Sequence, residues 1–178
     1  MRTYKTEGFV IKRRNFREAD RLLTVFTKRN GKIQINAPGV RKITSRRASH
    51  VELLNYSLFS IYESRNLPIL TEAQSIETFP SLKNNLSKVS ALYYVCELID
   101  GLCPENQENE KVFHLLKDFL FDLKTKQDQE ELIRKFEINL LTILGFYRTV
   151  EKSQNINMSL FIERILERKL KTKQINLC

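Results

Sequence analysis

The sequence predicts an α+β protein in which a five-stranded barrel over residues 1–79 precedes an all-α helical domain over residues 80–178. Two observations lead to this fold class. Up to about Glu77 the apolar residues lie in short runs, several of which alternate with polar residues as strands do. Beyond Pro80 the apolar residues recur at spacings of three and four, as on one face of a helix.

The first part contains five predicted strands separated by turn signals. These strands are Gly8–Ile11, Leu22–Thr27, Ile33–Ala37, Tyr56–Glu63 and Leu67–Ile76. Asn30 and Gly31 both tolerate positive φ, so the second and third strands should form a hairpin. Five strands with a long connection between the third and the fourth are typical of a small OB-type barrel, and an SH3-like barrel is the alternative.

The second part is predicted to be helical, because Pro80 ends the strand pattern and Ser81 can cap a helix. Gly101 and Gly145 should end the first and the third of the long helices. The apolar faces are expected to pack in a core rather than to bind a partner. The predicted helical segments are Leu86–Ile99, Phe113–Leu123, Leu132–Leu144 and Leu160–Leu170.

The excess of positive charge behind the net charge of +9 lies in the first fifty residues. Residues 1–50 carry fourteen Lys and Arg but three Asp and Glu, a balance of +11. A domain with this asymmetry is suited to bind a polyanion, and nucleic acid is the commonest polyanion in a cytosol. Acidic proteins and anionic lipids are the alternatives.

Two basic segments are the predicted phosphate contacts, since Arg and Lys bind phosphate oxygens. The stretch Gly39–His50 contains no acidic residue, and a second basic segment follows the first predicted strand. Phe16 lies in that segment, where its ring could stack on a base or close the barrel end. The predicted nucleic-acid-binding residues are Lys12, Arg13, Arg14 and Arg17 in the first connection and Arg41, Lys42, Arg46 and Arg47 in the later one.

No catalytic, cofactor or metal site is predicted. Cys96 and Cys103 lie on an apolar helix face without a C-x-x-C pair, so we expect buried thiols. A metal-dependent nuclease is the rival class, but it needs clustered carboxylates or His, and Glu18 with Asp20 is the only close acidic pair in the basic region. No apolar run is long enough for a membrane span or a signal peptide, so a cytoplasmic, nucleoid-associated location is expected.

Several motifs occur in an order and spacing that resemble the bacterial recombination mediator RecO along nearly the whole chain. The motifs are E-A-D-R at Glu18–Arg21, N-G-K at Asn30–Lys32, G-V-R at Gly39–Arg41, T-E-A at Thr71–Ala73, and the later helical segments ALYYVCELIDGL, VFHLLKDFLFDL and FEINLLTILGF. The resemblance implies an OB-fold that contacts DNA, followed by a helical domain.

The resemblance also implies a function in DNA repair and homologous recombination without bond chemistry. Such a protein binds single- and double-stranded DNA, anneals complementary strands and helps to load RecA on coated single strands. The implied partners are RecR, the single-strand-binding protein through its acidic C-terminal tail, and RecA indirectly. An OB-fold RNA-binding protein unrelated to repair is the alternative, because composition does not separate RNA from DNA.

Two features depart from the family pattern. Many family members carry a loop with four zinc-binding cysteines, and Tyr147–Asn157, which stands in its place, is short and has none. Pro38 stands where many relatives have a Lys, so one phosphate contact is expected to be missing.

Overall fold

A computed structural model describes residues 2–125, 128–147 and 157–172 of the chain. Five strands form a closed barrel in the order β1-β2-β3-β5-β4, and helices follow, so the predicted fold class is confirmed. The strands are β1 (Thr3–Phe16), β2 (Asp20–Thr27), β3 (Gly31–Ala37), β4 (Tyr56–Tyr62) and β5 (Ile69–Glu77), with a 3-10 turn at Ala48–Val51. The helices are α1 (Pro80–Lys83), α2 (Leu86–Leu102), α3 (Glu110–Thr125), α4 (Gln129–Ile143) and α5 (Met158–Leu166).

The barrel closes because β1 pairs with both β2 and β4, while β3 meets β5 in a short parallel contact at Asn36 and Ile69. Alternate side chains of the strands fill the interior. Its fully buried members include Val10, Leu23, Ile35 and Phe59. Each such side chain stabilises the fold by about 1.5–3 kcal/mol relative to an exposed position.

The prediction that Lys12, Arg13 and Arg14 lie in a connection is wrong. β1 continues through them to Phe16, and a bulge lies between Val10 and Lys12. Beyond the bulge β1 still pairs with β2, but its side chains face solvent, so this half of the strand needs no apolar residues. Only residues 17–19 connect the two strands.

The predicted hairpin between β2 and β3 is confirmed. Gly31 adopts a φ of +65°, a conformation that glycine reaches without steric cost. The Thr27 hydroxyl accepts a hydrogen bond from the Asn30 amide at 3.0 Å and donates one to the Gly31 carbonyl at 2.9 Å. These bonds hold the turn in one conformation.

The chain divides into two compact units, of which the first joins the barrel residues to Pro104–Glu110. We call Pro104–Glu110 the acidic strap. The Asn106 amide donates to the Lys32 carbonyl at 2.8 Å, and the Gln34 side chain donates to Glu105 at 2.7 Å. The strap therefore lies along the part of β3 that precedes its contact with β5, and it satisfies backbone groups at that edge.

The second unit is built around α2, whose buried face includes Val95 and Ile99. Helices α2 and α4 are joined by a buried hydrogen bond from the Tyr94 hydroxyl to Glu137, and Phe119 of α3 packs on Phe136 of α4 with ring centroids 5.1 Å apart. Burial, and then the Glu137 carboxylate, raise the pKa of Tyr94 well above its usual range. The tyrosine therefore stays a neutral donor.

Three details of the second unit differ from or match the sequence predictions. Ser81 does not cap a long helix: α1 ends at Lys83, and Asn85 caps α2. The last helix ends at Leu166 rather than at residue 170, because Glu167 turns into the left-handed region at φ 54°. Cys96 and Cys103 are buried, as predicted. Cys178 and most of the predicted short segment Tyr147–Asn157 lie outside the described residues.

Candidate nucleic-acid interface

Residues Gly39–His50, which we call the basic loop, are fixed to the end of the barrel by apolar side chains. Val40 within the loop is 1% exposed and Val51, directly after it, is fully buried, and both belong to the barrel core. The Asn55 side chain donates to the Ser49 carbonyl at 2.7 Å, and the Ser57 hydroxyl donates to the His50 carbonyl at 2.9 Å. The loop is thus held at both ends, although it forms little regular structure.

The start of the basic loop contacts the turn between β1 and β2. The Gly39 amide donates to the Asp20 carboxylate at 2.7 Å, and the Arg41 amide donates to the Ala19 carbonyl at 2.9 Å. The Arg41 guanidinium donates to the Glu18 carbonyl at 3.1 Å. The two basic segments predicted from the sequence are therefore joined at this turn, which also carries Arg17.

The residue after Val51 provides a second connection. Glu52 forms ion pairs with Arg13 of β1 and, at 3.1 Å, with Arg21 of β2. Exposed ion pairs of this kind contribute about 0–1 kcal/mol. Arg13 can therefore exchange Glu52 for a phosphate at small cost.

Arg47 differs from the other basic residues because its guanidinium is used inside the fold. It donates to the Pro38 carbonyl at 2.7 Å and to the Leu70 carbonyl at 2.6 Å, and so ties the loop to β5. Its side chain is half-buried, whereas Arg46 beside it is exposed. A role for Arg47 in binding stays a prediction, and its contacts give it a structural role.

Three of the predicted residues are available for a ligand. Arg14, Lys42 and Arg46 are exposed and make no side-chain hydrogen bond or ion pair with any residue that the structure describes. Lys12 is exposed on β1. The Arg17 guanidinium lies 5.2 Å from the centroid of the half-buried Phe16 ring, so this ring is partly covered by its neighbour.

The outer face of the β2–β3 hairpin is poorly suited to phosphate. OB-folds commonly bind nucleic acid on the face of their second and third strands, yet Phe26 and Lys32, on the outer side of this hairpin, are buried here. The acidic strap lies along β3, and its Glu110 carboxylate pairs with Lys28 at 3.4 Å. The basic loop and the β1–β2 turn are therefore better suited to a polyanion than this hairpin is.

The described residues offer no constellation for metal chemistry. No group of three or more His, Cys, Asp or Glu able to hold a metal ion occurs among them. Asp20, one of the two acidic residues considered for a nuclease, binds the Gly39 amide instead. None of the described helices is both long enough and apolar enough to cross a membrane.

The sequence reasoning missed four residues that shape this surface. Asp20 and Glu52 position the loop, Arg21 shares the Glu52 carboxylate, and Lys5 of β1 extends the basic surface beside Arg46. The E-A-D-R motif contains Asp20 and Arg21, but its spacing does not reveal their partners. Lys5 could be found only from the register that pairs it with Ser60 of β4.

Comparisons with known proteins cover both parts of the chain. Residues 1–79 match the family model described as Recombination protein O N terminal, and residues 83–157 match the one described as Recombination protein O C terminal. The DNA repair protein RecO of Pelotomaculum thermopropionicum is 35% identical over 152 residues, which are 85% of this chain and 59% of that protein.

Two other relatives match this chain with similar identity and coverage. The DNA repair protein RecO of Roseiflexus sp. is 36% identical over 145 residues, or 82% of this chain and 51% of that protein. The protein of the same name from Listeria monocytogenes is 33% identical over 148 residues, or 83% of this chain and 58% of that protein. The match thus spans 51–59% of the length of these relatives. Since the two models cover the barrel and most of the helical part in the family's order, this chain belongs to the RecO family.

Proposed function

We propose that this chain acts in DNA repair and homologous recombination, where it binds single- and double-stranded DNA and anneals complementary strands. The names of its relatives support a role in DNA repair. The single observation that carries the proposal is the junction of the basic loop with the β1–β2 turn through Arg41. We assign binding to residues 1–79.

The proposed mechanism is electrostatic. Two complementary strands pair spontaneously once the repulsion between their phosphates is reduced, and Lys and Arg reduce it by displacing condensed counterions. Lys42, Arg46 and Arg14 are exposed and unengaged within the described residues, so they need break no contact to bind phosphate. Two further cations lie at the β1–β2 turn: Arg41 contacts this turn, and Arg17 is part of it. Contacts of this kind hold a strand without reading its sequence.

Ile43 favours nucleic acid over an acidic protein as the ligand of this surface. Its side chain is 105% exposed at the middle of the basic loop, next to Lys42. Proteins that bind DNA use such apolar side chains to contact or partly unstack bases between two phosphate contacts. We propose that Ile43 lies against a base when the neighbouring cations bind the backbone.

We further propose that residues 80–178 bind protein partners. The implied partners are RecR and the acidic C-terminal tail of the single-strand-binding protein, and through them the chain assists the loading of RecA. The near-neutral charge of this part supports protein rather than nucleic acid as its ligand.

Duplex formation between two labelled complementary oligonucleotides, both coated with single-strand-binding protein, tests the proposal. The purified chain is added without ATP or metal, and pairing is followed by energy transfer. We expect faster annealing than for the coated strands alone, and slower annealing with Lys42→Gln/Arg46→Gln. No acceleration, together with tight binding to RNA, would instead support an RNA-binding protein, and strand fragments that appear with magnesium would indicate a nuclease.

A further inference from the structure

The acidic strap and the turn of the β2–β3 hairpin carry opposite charges. The strap has three Glu and no Lys or Arg, whereas the hairpin has Lys28, Arg29 and Lys32 at its turn and at the start of β3. The Glu110 carboxylate of the strap lies 3.4 Å from the Lys28 ammonium, and both side chains are partly exposed. Carboxylates and phosphates bind the same cations. The strap therefore takes up a cation that would otherwise be open to a phosphate.

Polar contacts rather than apolar packing hold the strap on the hairpin. The Asn106 amide donates to the Lys32 carbonyl, and the Gln34 side chain donates to Glu105. The strap contains no Leu, Ile, Val, Met, Phe or Tyr, and six of its seven residues are exposed. Segments with few buried apolar contacts open locally at a low cost in free energy. Opening of the strap therefore uncovers little apolar surface of its own.

Two charges at this place have no partner among the described residues. Arg29 at the turn and Glu108 on the strap are exposed, and neither makes a side-chain hydrogen bond or ion pair with any of them. The Glu108 amide nitrogen would lie 3.2 Å from a Cβ placed at Gly31, so the strap passes close to the turn that carries Arg29. A phosphate that approaches Arg29 is repelled by the Glu108 carboxylate as long as the strap is closed.

We propose that the acidic strap is an autoinhibitory segment that competes with a single strand of nucleic acid for Lys28 and Arg29. With the strap closed, a strand binds the basic loop and the β1–β2 turn alone. With the strap open, Lys28 and Arg29 add two phosphate contacts, and a strand that binds both cations shifts the equilibrium towards the open form. This inference rests on the proposed function and adds its regulation.

Coupling between substitutions in the strap and in the hairpin tests the competition. The affinity for labelled oligo-dT is measured by fluorescence anisotropy at several salt concentrations, with strands of about 25 nucleotides, longer than the site of about 4–16 nucleotides that one OB-fold covers. We expect the strap variant Glu108→Gln/Glu110→Gln to steepen the slope of log affinity against log salt by about 1.4, the value for two additional single-strand contacts. Adding Lys28→Gln/Arg29→Gln should remove this gain. The same two hairpin substitutions in the wild-type chain should change the slope by less than about 0.7.

Glu63→Gln/Glu72→Gln is the matched control for the strap variant, because it removes the same charge from exposed positions after β4 and on β5. In this background the two hairpin substitutions should act as they do in the wild-type chain. An equal effect of Lys28→Gln/Arg29→Gln on the slope in the wild-type, strap-variant and control backgrounds would show that the strap does not compete for these cations, and would overturn the inference.

Gly31→Ala tests the opening of the strap without a change of charge. The added Cβ would lie 1.8 Å from the Gln107 carbonyl oxygen, so the strap must move away from the turn. We expect faster hydrogen exchange at the Asn106 amide and a steeper salt slope. Gly145→Ala is the control, because Gly145 also has a positive φ and its Cβ would meet nothing within 4 Å. It should change neither quantity.

Three further results separate the alternatives. If the wild type binds oligo-dT and Gly31→Ala speeds exchange at Asn106 without a change in slope, the strap opens without uncovering a binding site. The inference then fails, although the proposed function stands. If neither the wild type nor the strap variant binds oligo-dT, the proposed function fails as well. A gain in the affinity of the strap variant for a poly-glutamate peptide but not for oligo-dT would overturn nucleic acid as the competitor of the strap.

Discussion

The Asp20 carboxylate accepts the amide hydrogen of Gly39 at 2.7 Å and so fixes the start of the basic loop against the start of β2. The carboxylate is acidic, yet it lies within the basic surface and positions it. Asp20→Ala removes the acceptor of a partly buried amide, so we expect a loss of about 1–2 kcal/mol in the free energy of unfolding. Hydrogen exchange at Gly39 should become faster.

The matched variant for Asp20 is Asp20→Asn, whose carbonyl oxygen can still accept the Gly39 amide. We expect it to restore slow exchange at Gly39 and most of the stability. Weakened binding of single-stranded DNA by Asp20→Ala, but not by Asp20→Asn, would link the position of the loop to binding. Equal exchange rates in both variants would contradict the role of this contact.

Adjacent arginines of the basic loop should respond differently to substitution. Arg47→Ala leaves the Pro38 and Leu70 carbonyls without their charged donor, so we expect a loss of about 2 kcal/mol or more in unfolding free energy. Arg46→Ala removes an exposed side chain, and its effect on stability should stay within about 0.5 kcal/mol. Chemical unfolding of both variants measures the difference, and equal stabilities would show that the Arg47 contacts are not maintained in solution.

Exposed isoleucines provide a test of base contact. Ile43→Ser should weaken binding to single strands by about 1 kcal/mol, less than the full burial of an apolar side chain, because a base covers only part of the isoleucine. The salt slope should not change, because no charge is removed. Ile76→Ser, at a β5 side chain that is 52% exposed, is the control and should leave binding unchanged. Anisotropy titrations at several salt concentrations check both variants, and an unaltered affinity in Ile43→Ser would remove this side chain from the interface.

Two glycines with positive φ allow the contribution of the acidic strap to be measured. A Cβ at Gly31 would lie 1.8 Å from the Gln107 carbonyl oxygen of the strap, whereas one at Gly145 meets nothing within 4 Å. Gly145→Ala should cost about 1–2 kcal/mol for the left-handed conformation alone. Gly31→Ala should cost clearly more, because the strap must also move. Thermal unfolding measures the stability of both variants. Similar losses of stability would show that the strap can move away from Gly31 without a cost in free energy.

Acid should weaken the second unit through Glu97 of α2. Burial alone would raise the pKa of Glu97, but hydrogen bonds from Arg168, Lys171 and Thr172 outweigh it and lower the pKa from 4.5 to about 2. The unfolded chain therefore binds the proton first, and the stabilisation by Glu97, complete above pH 4.5, is lost as the pH falls towards 2. Urea unfolding of Glu97→Gln from pH 6 to pH 2.5 should show less dependence on pH in that range than the wild type. An identical dependence would contradict the lowered pKa.

The sequence was sufficient to predict the class of every long element, because period-two and period-3.6 patterns reflect burial directly. It failed at β1, where Lys12, Arg13 and Arg14 carry no apolar signal. A strand whose side chains face solvent has the same polar sequence as a loop. Only the register with β2 shows that these residues form a strand. Asn85 as the cap of α2 was likewise hidden, since Ser81 is an equally good capping residue in the sequence.

The sequence predicted which basic residues belong to the candidate site. It did not show which of them bind groups of the fold and which are left exposed. Charge counting selects Arg46 and Arg47 together, and neighbouring residues of one type cannot be separated without their contacts. Arg47 donates to carbonyls of the fold, while Arg46 and Lys5 are exposed and make no side-chain hydrogen bond or ion pair with a described residue. Lys5 lies far from the basic loop in sequence, and it joins the surface only because β1 pairs with β4.

The acidic strap has a consequence for the order in which the protein is made. A nascent chain that has emerged only as far as Phe79 contains all five strands, but the segment that covers the free edge of β3 has not yet been synthesised. During that interval the exposed N–H and C=O groups of β3 can pair with another nascent chain. Polysomes that translate this message therefore pass through a stage at which neighbouring chains can associate, and that stage ends once Glu110 has left the ribosome.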